Sequence, residues 1–314
     1  MTRYLASRFA GMAVVMLLVA TLVFFITRLA PGDPAAVMLG EQATAADIAQ
    51  LRASYGLDKP LPVQFVYWLK ELARGNLGQS IFLQRPVTQA LWERAEPTLY
   101  LTLFSIVIAA LIGIPCGIAS AVWRGRAIDQ VFSGFAMLGA SVPSFWFGLI
   151  LMQIFAVALG WFPVAGYGDP GVPLADRLHH LVLPAIVLGT VPTAGRMRQM
   201  RANLLDVLRL DYVTTARAKG LDENKVVFKH AVRNAINPLI TLFGFTIASL
   251  LSGSFIVEIV MAWPGLGSLT LEALLKQDLY LVMGSVVIAA TMLVLGNLIA
   301  DVLLVIADPR IKYN

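Results

Sequence analysis

From Phe9 to Thr27 the chain carries no charged side chain, and five more blocks of the same character follow. They extend roughly over Pro97 to Val122, Val131 to Leu159, His180 to Gly195, Ile236 to Val257 and Leu281 to Ala300. About 18 or more uncharged residues suffice to cross the hydrocarbon core of a bilayer as a helix. A helix also satisfies its own backbone polar groups where no water can do so. The expected fold is therefore an all-α membrane protein with six transmembrane helices. Composition agrees: 58% of residues are hydrophobic and 14% charged, against about 25% charged in soluble domains. Arg3 and Arg8 precede the first block as they would a signal peptide. Its apolar run exceeds the roughly 7–15 residues of a signal, however, and Ala30-Pro31-Gly32 is a poor cleavage site, so it reads as a retained span.

Lys and Arg set the expected orientation. Arg3 and Arg8 precede the first span, Arg124 and Arg126 follow the second, and Arg310 and Lys312 follow the sixth. Nine more basic residues lie from Arg196 to Arg233, whereas the short opposite loops hold only Arg177 and Lys276. Both termini then face the cytosol. The net charge of +5 is this loop bias rather than a nucleic-acid footprint. The single cysteine, Cys116, excludes an internal disulfide and a thiolate metal site.

Three regions follow. Residues 1–30 form the N-terminal tail and first span, 31–96 a periplasmic helical segment between the first two spans, and 97–314 a five-helix core. In the outer segment Thr44 caps a helix through Tyr55 with Ile48, Leu51 and Tyr55 on one face. A second helix runs from Pro62 to Arg74 with Phe65, Val66, Leu69 and Leu72 inward, and Gly75 ends it. The segment reads as a cap on the spans or as a docking surface for a binding protein. Gly113 and Gly117 have the small-xxx-small spacing of close helix packing. Pro143, Pro184 and Pro192 should kink the third and fourth spans. The outer loop from Trp161 to Arg177 reads as a compact turn.

The loop between the fourth and fifth spans, residues 203–235, has a composition of its own. Thr214, Thr215, Ala216 and Ala218 sit beside Arg217 and Lys219, and Gly220 then breaks the helix. Asp222 and Glu223 can cap a second helix. Helix, glycine turn, helix is a handle that an outside partner can grip through small residues.

Catalysis by the chain alone is not expected. No Lys precedes Ser or Thr, so the phosphate-cradling P-loop is missing, and there is no H-E-x-x-H or G-x-S-x-G. Ser141, Ser144 and Ser254 lack a neighbouring base. Among ionisable groups near the bilayer, Glu258 and Asp301 are functional-site candidates by default, with structural anchoring as the competing role. Ser141, Gln153, Thr246 and Ser249 are candidates for the translocation path.

Against this background TTARAKG, Thr214 to Gly220, resembles the coupling (EAA) loop of bacterial ABC-importer permeases. Ala216 and Gly220 match that pattern, while Thr214 and Thr215 replace its Glu-Ala. RLAPGDPAAVMLG, LRASYGLDKPLPVQFVYWL, GNLGQS, FIVEIVMAWPGLGSL, KQDLY and NLIADVLLVIADPRIKYN are similar to stretches of the dipeptide/oligopeptide (nickel/glutathione) permease group, first-permease type. The resemblance implies a second homologous permease, two ATP-binding ATPase subunits holding ATP and Mg, and a periplasmic or lipid-anchored solute-binding protein. It implies a peptide-like substrate, no cofactor or metal bound by this chain, and no nucleic acid. Thr214 to Gly220 would contact the ATPases, and Glu258, Pro264, Gly265, Gly267, Asp278 and Asp301 would be structural or gating residues. An ion-coupled carrier, which would need a buried acid or broken-helix ion site, and a membrane-embedded enzyme are the alternatives.

Overall fold

The computed structural model describes residues 2–29, 34–40, 43–54, 56–168 and 171–307. Pro31 to Asp33 of the PGDP turn, Tyr55, and the D-P-R ending with Arg310 and Lys312 lie outside the described residues. Regular structure among the described residues is helical, apart from one isolated bridge between Gln79 and Pro86.

Among the described residues four helices are long and apolar enough to cross a membrane: Arg8–Leu29 within α1 (Thr2–Leu29), α5 (Val87–Val122), α8 (Leu174–Val207) and Leu279–Ile299 within α13 (Leu279–Ala307). The pair α6 (Ala127–Ser141) and α7 (Ser144–Leu151), continued by a π-helical stretch Met152–Ala158, makes a fifth if taken as one span. The block expected as the remaining span coincides with α11 (Asn237–Val260). The two longest, α5 with 36 residues and α8 with 34, reach about 50 Å and so extend beyond an apolar core of about 30 Å.

Pro143 does more than kink its span. Val142 and Pro143 both adopt extended backbone, and the helices on either side meet at 108°. Proline disfavours the helical region for the residue before it, which stops α6 at Ser141. Pro143 then opens α7, with its carbonyl accepting the Phe147 N–H at 3.0 Å. By contrast α8 runs as one helix through Pro184 and Pro192. Pro184 is buried alongside Leu181, Leu183, Ala185 and Val187, and that packing carries the helix past it.

The chain divides into two compact units. One comprises residues 1–97 and 264–292. It holds α2 (Pro34–Leu39), α3 (Ala45–Ser54), α4 (Leu61–Ala73) and α12 (Leu266–Leu275) besides α1. Its core joins Phe24, Trp68, Met283 and Val287, and a second cluster joins Leu77, Val87, Leu91, Leu269 and Leu281. The predicted cap of α3 forms: the Thr44 N–H donates to Asp47 Oδ2 at 3.1 Å and the Asp47 N–H to Thr44 Oγ1 at 3.3 Å. The α3 face expected to turn inward buries no described side chain. In α4 the buried residue is Trp68, while Val66 is 55% exposed. Phe65, Trp68, Leu69 and Leu72 follow i, i+3, i+4, i+7, a stripe that excludes position 66.

The other unit comprises residues 98–263 and 293–314, with α8 at its centre. Leu101, Leu183, Val187, Val257, Met261 and Trp263 form its main core. Gly113 and Gly117 are where α5 lies against α8. A Cβ on either would stand 2.7 Å from the Thr193 carbonyl oxygen or 2.6 Å from that of Met197. The loop after the π-helical stretch folds back compactly, with Tyr167 edge-on to Trp263 at 4.9 Å.

Candidate functional site: the helical handle after α8

The segment expected to be a handle is built by local capping. After α8, Leu210 is extended and α9 (Asp211–Ala218) begins with an acid in its first turn, where a helix end favours negative charge. The far end is a Schellman closure. The Gly220 N–H donates to the Arg217 carbonyl at 2.9 Å and the Leu221 N–H to the Ala216 carbonyl at 3.4 Å. That closure needs a left-handed residue between the two, and Gly220 has φ +76°. Nothing lies within 4 Å of a Cβ added there, so the glycine is required by backbone conformation, not by space.

Beyond the turn, the Asp222 carboxylate accepts the Asn224 N–H at 3.1 Å and starts the second helix as expected. Glu223 reaches back across the turn to Arg217, with Nη2···Oε1 at 2.7 Å and Nε···Oε2 at 3.1 Å. The guanidinium's hydrogen bond holds the Glu223 carboxyl below its ordinary range and raises Arg217 in return. The second helix is π-helical over Lys225–Val232 and passes into α10 (Arg233–Ala235). Its wider turn brings Val226 and Ala231, five residues apart, to the buried side. Val226 packs with Val213 and Ala216 of α9. Asn234 Nδ2 donates to Tyr212 Oη at 2.8 Å, and Asn203 Nδ2 donates to the Ala235 carbonyl at 3.1 Å. The handle is thereby fastened to the end of α8.

Within Thr214 to Gly220 the residues divide. Thr214, Thr215, Arg217, Ala218, Lys219 and Gly220 are exposed, whereas Ala216 is buried and seats α9 on the second helix. Thr215 Oγ1 donates back to the Asp211 carbonyl at 2.8 Å. Tyr212, Leu221 and the 60% exposed Phe228 add apolar surface around them.

Sequence reasoning missed the joint that carries the handle's base. Arg201 of α8 grips Asp129 of α6 through two hydrogen bonds of 2.8 Å, Nε to Oδ1 and Nη2 to Oδ2. The same carboxylate accepts Ser120 Oγ from α5 and the Gly125 N–H at 2.9 Å. Three helices meet at one buried acid.

The remaining candidates are scattered. Glu258 is fully buried and accepts Thr98 Oγ1 at 2.8 Å. Asp278, also fully buried, caps α13 by accepting the Leu281 N–H at 3.0 Å, and it accepts Ser80 Oγ at 2.6 Å and the Phe82 N–H at 3.0 Å. Gly265 precedes α12, Gly267 lies in its first turn, and Pro264 is half-buried. Asp301 is half-buried on α13. Ser141 and Gln153 stand on opposite arms of the α6–α7 bend, and Thr246 and Ser249 lie one turn apart on α11. Among the described residues no group of His, Cys, Asp or Glu is placed to hold a metal ion.

Fold and site together define the class: an all-helical, multi-pass membrane protein with a fastened helix–turn–helix handle. Residues 113–313 match the family described as binding-protein-dependent transport system inner membrane component, and residues 1–102 match its N-terminal companion. The chain belongs to that family: it is an inner-membrane permease subunit of the ABC-importer type, and ATP hydrolysis in such systems occurs in separate subunits. It is 42% identical to the oligopeptide transport system permease protein AppB of Bacillus subtilis (strain 168), over the whole of both chains. It is 41% identical, also over the whole of both, to the glutathione transport system permease protein GsiC of Salmonella choleraesuis (strain SC-B67). Among solved structures it resembles the inward-facing MetNI methionine ABC transporter, with TM-score 0.52 and 19% identity over 68% of this chain and 96% of that one. An amino acid ABC transporter crystallised with histidines matches at TM-score 0.52 and 17% identity, over 71% of this chain and 95% of that one. Both likenesses bear on the fold alone.

Proposed function

We propose that this chain is the first-permease subunit of an importer for short peptides, or for peptide-like solutes such as glutathione. The observation that carries the reading is the handle. Its exposed Thr214, Thr215, Arg217, Ala218, Lys219 and Gly220 form the surface on which two ATPase subunits act. Full-length similarity to oligopeptide and glutathione permeases supports the cargo class. Six spans with both termini cytosolic, α11 included, put the handle on the ATPase side. A second homologous permease completes the pathway, and a periplasmic or lipid-anchored solute-binding protein delivers cargo to it. Closure of the ATPases on ATP pushes α9, and the α5–α6–α8 joint passes the push to the spans. The ATPases must bind one permease state better than the other, since only differential affinity shifts such an equilibrium.

Gly220→Arg is the test. In the assembled complex it is expected to abolish peptide uptake while membrane insertion and subunit assembly persist. Normal uptake by that variant would remove the coupling role. Which solute-binding protein stimulates ATP turnover, and with which ligand bound, identifies the cargo.

A further inference from the structure

The unit formed by residues 1–97 and 264–292 contains a cavity of about 380 Å³ that the handle does not involve. Arg28, in the last turn of α1, lines it together with Lys59, Gln64, Tyr67, Trp68 and Tyr280. The Arg28 guanidinium lies over the ring of Phe24 at 5.3 Å. Phe24 is itself fully buried and held by Phe65 and Trp68 at ring distances of 5.3 and 5.6 Å. Arg28 Nε is buried and meets no hydrogen-bond acceptor among the described residues. Gln64 is the counterpart. Its Nε2 donates to the Leu57 carbonyl at 3.1 Å and the Lys59 carbonyl at 2.7 Å, which fixes the amide's orientation. Its Oε1 is thereby left buried without a donor among the described residues.

Such atoms are uncommon in folded proteins, because burying a polar group unpaired forfeits the hydrogen bonds it makes with water. Here a buried guanidinium Nε with no acceptor and a buried amide oxygen with no donor, among the described residues, belong to two side chains that line the same cavity. Glu71, the acid in its wall, is already engaged by Arg74 and Asn76, each at 2.8 Å. Arg28 and Lys59 therefore leave the cavity positive, and Gln64 asks for an N–H. A guanidinium pairs best with a planar carboxylate. The volume falls near the lower end of the roughly 300–1,000 Å³ of small-ligand sites, room for one or two residues of peptide rather than a long chain.

We propose that this cavity binds a small carboxylate-bearing zwitterion of amino-acid or dipeptide size. The carboxylate goes to Arg28, an N–H goes to Gln64, and Tyr67, Trp68 and Tyr280 form the walls. The site goes beyond the importer reading, because binding there requires neither ATPases nor movement of the spans.

The test uses the full chain in phosphatidylcholine nanodiscs, titrated calorimetrically with dialanine. Saturable binding is expected, weakened about tenfold or more when the ligand's carboxylate is replaced by an amide, which corresponds to about 1.4 kcal/mol. Arg28→Gln is expected to weaken dialanine binding at least as much, and Gln64→Leu about fivefold. The amide comparison on the unaltered chain needs no variant to fold. The site is overturned if the unaltered chain shows no saturable binding, or if acid and amide bind equally. It is also overturned if inorganic phosphate binds more tightly than dialanine, which would mark a lipid-headgroup site. Gly220→Arg is expected to bind dialanine unchanged. Loss of the site would leave peptide uptake by the complex untouched, so the two readings fail separately.

Discussion

At the scale of single residues, the turn of the handle depends on a dihedral angle. Gly220 has φ +76° and open space where a side chain would go, so substitutions there should rank by tolerance of the left-handed region, not by size. Gly220→Asn is expected to be the mildest and Gly220→Val the worst, with a cost of about 1–2 kcal/mol for an ordinary residue. Thermal melting of the purified chain alongside uptake by the complex checks the order. Glu223 makes a second, smaller prediction. Its carboxyl is held below the ordinary range by Arg217, so the pair stabilises the turn at neutral pH. That contribution is lost as the pH falls through the depressed folded-state value. With side chains 41% and 60% exposed, the pair contributes only about 0.2–1 kcal/mol, and salt screens it. Glu223→Gln should lower the melting temperature slightly at pH 7, and the difference should vanish as the pH falls through the depressed folded-state value and the native carboxyl becomes neutral too. A difference that persists in acid, once the native carboxyl is protonated, would assign the effect to packing.

Between elements, the contacts with most at stake lie along α8. Asp129 is 5% exposed and bonded to Arg201, Ser120 and the Gly125 N–H. Removing one partner of such a pair leaves a poorly solvated charge behind. Asp129→Asn is therefore expected to destabilise by about 3 kcal/mol, and adding Arg201→Gln should restore part of the loss. A double-mutant cycle in melting temperature reads the coupling, and strictly additive losses would show that the pair does not act as a joint. Gly117 offers a steric counterpart: Gly117→Ala drives a methyl to 2.6 Å from the Met197 carbonyl, whereas Gly134→Ala on α6 meets nothing within 4 Å. The first should cost about 1–3 kcal/mol and the second almost nothing. These elements also show what one sequence makes legible. The long apolar helices, the Thr44 cap, the Gly220 turn and the Gly113/Gly117 contact follow from local chemistry or fixed spacing. The Asp129–Arg201 joint does not, since its partners lie 72 residues apart and nothing local marks either. Val66 is apolar yet 55% exposed, because its position falls outside the helical period of the buried stripe. The full 108° break at Pro143 is not legible, because the sequence carries the proline's local restriction but not the direction in which the next helix is held. Arg28 carries no local signal either, and only the cavity beside it distinguishes it from other basic residues.

For the whole molecule, the deciding property is where free energy enters. The handle has surface for a partner, and no P-loop occurs in the sequence. A gate of this kind has an equilibrium between states but no means of biasing it, and a solute bound equally well in both states shifts nothing. Reconstituted alone in vesicles, the chain is expected to hydrolyse no ATP and to accumulate no peptide against a gradient, whether or not a proton or sodium gradient is imposed. With the second permease, both ATPases and the solute-binding protein present, accumulation should appear and should require ATP. Glu258 and the α6–α7 break are the two features an ion-coupled carrier would use, a buried acid and a broken helix. They lead to opposite expectations for Glu258→Gln. In a motor-driven gate, the Thr98 hydroxyl can still donate to the amide oxygen, so ATP-driven uptake persists, reduced only as far as stability falls. In an ion-coupled carrier, uptake would lose its dependence on the imposed gradient. Gradient-driven accumulation by the isolated chain, abolished by Glu258→Gln, would move the energy source from the partner subunits into this chain and leave the handle without its proposed purpose.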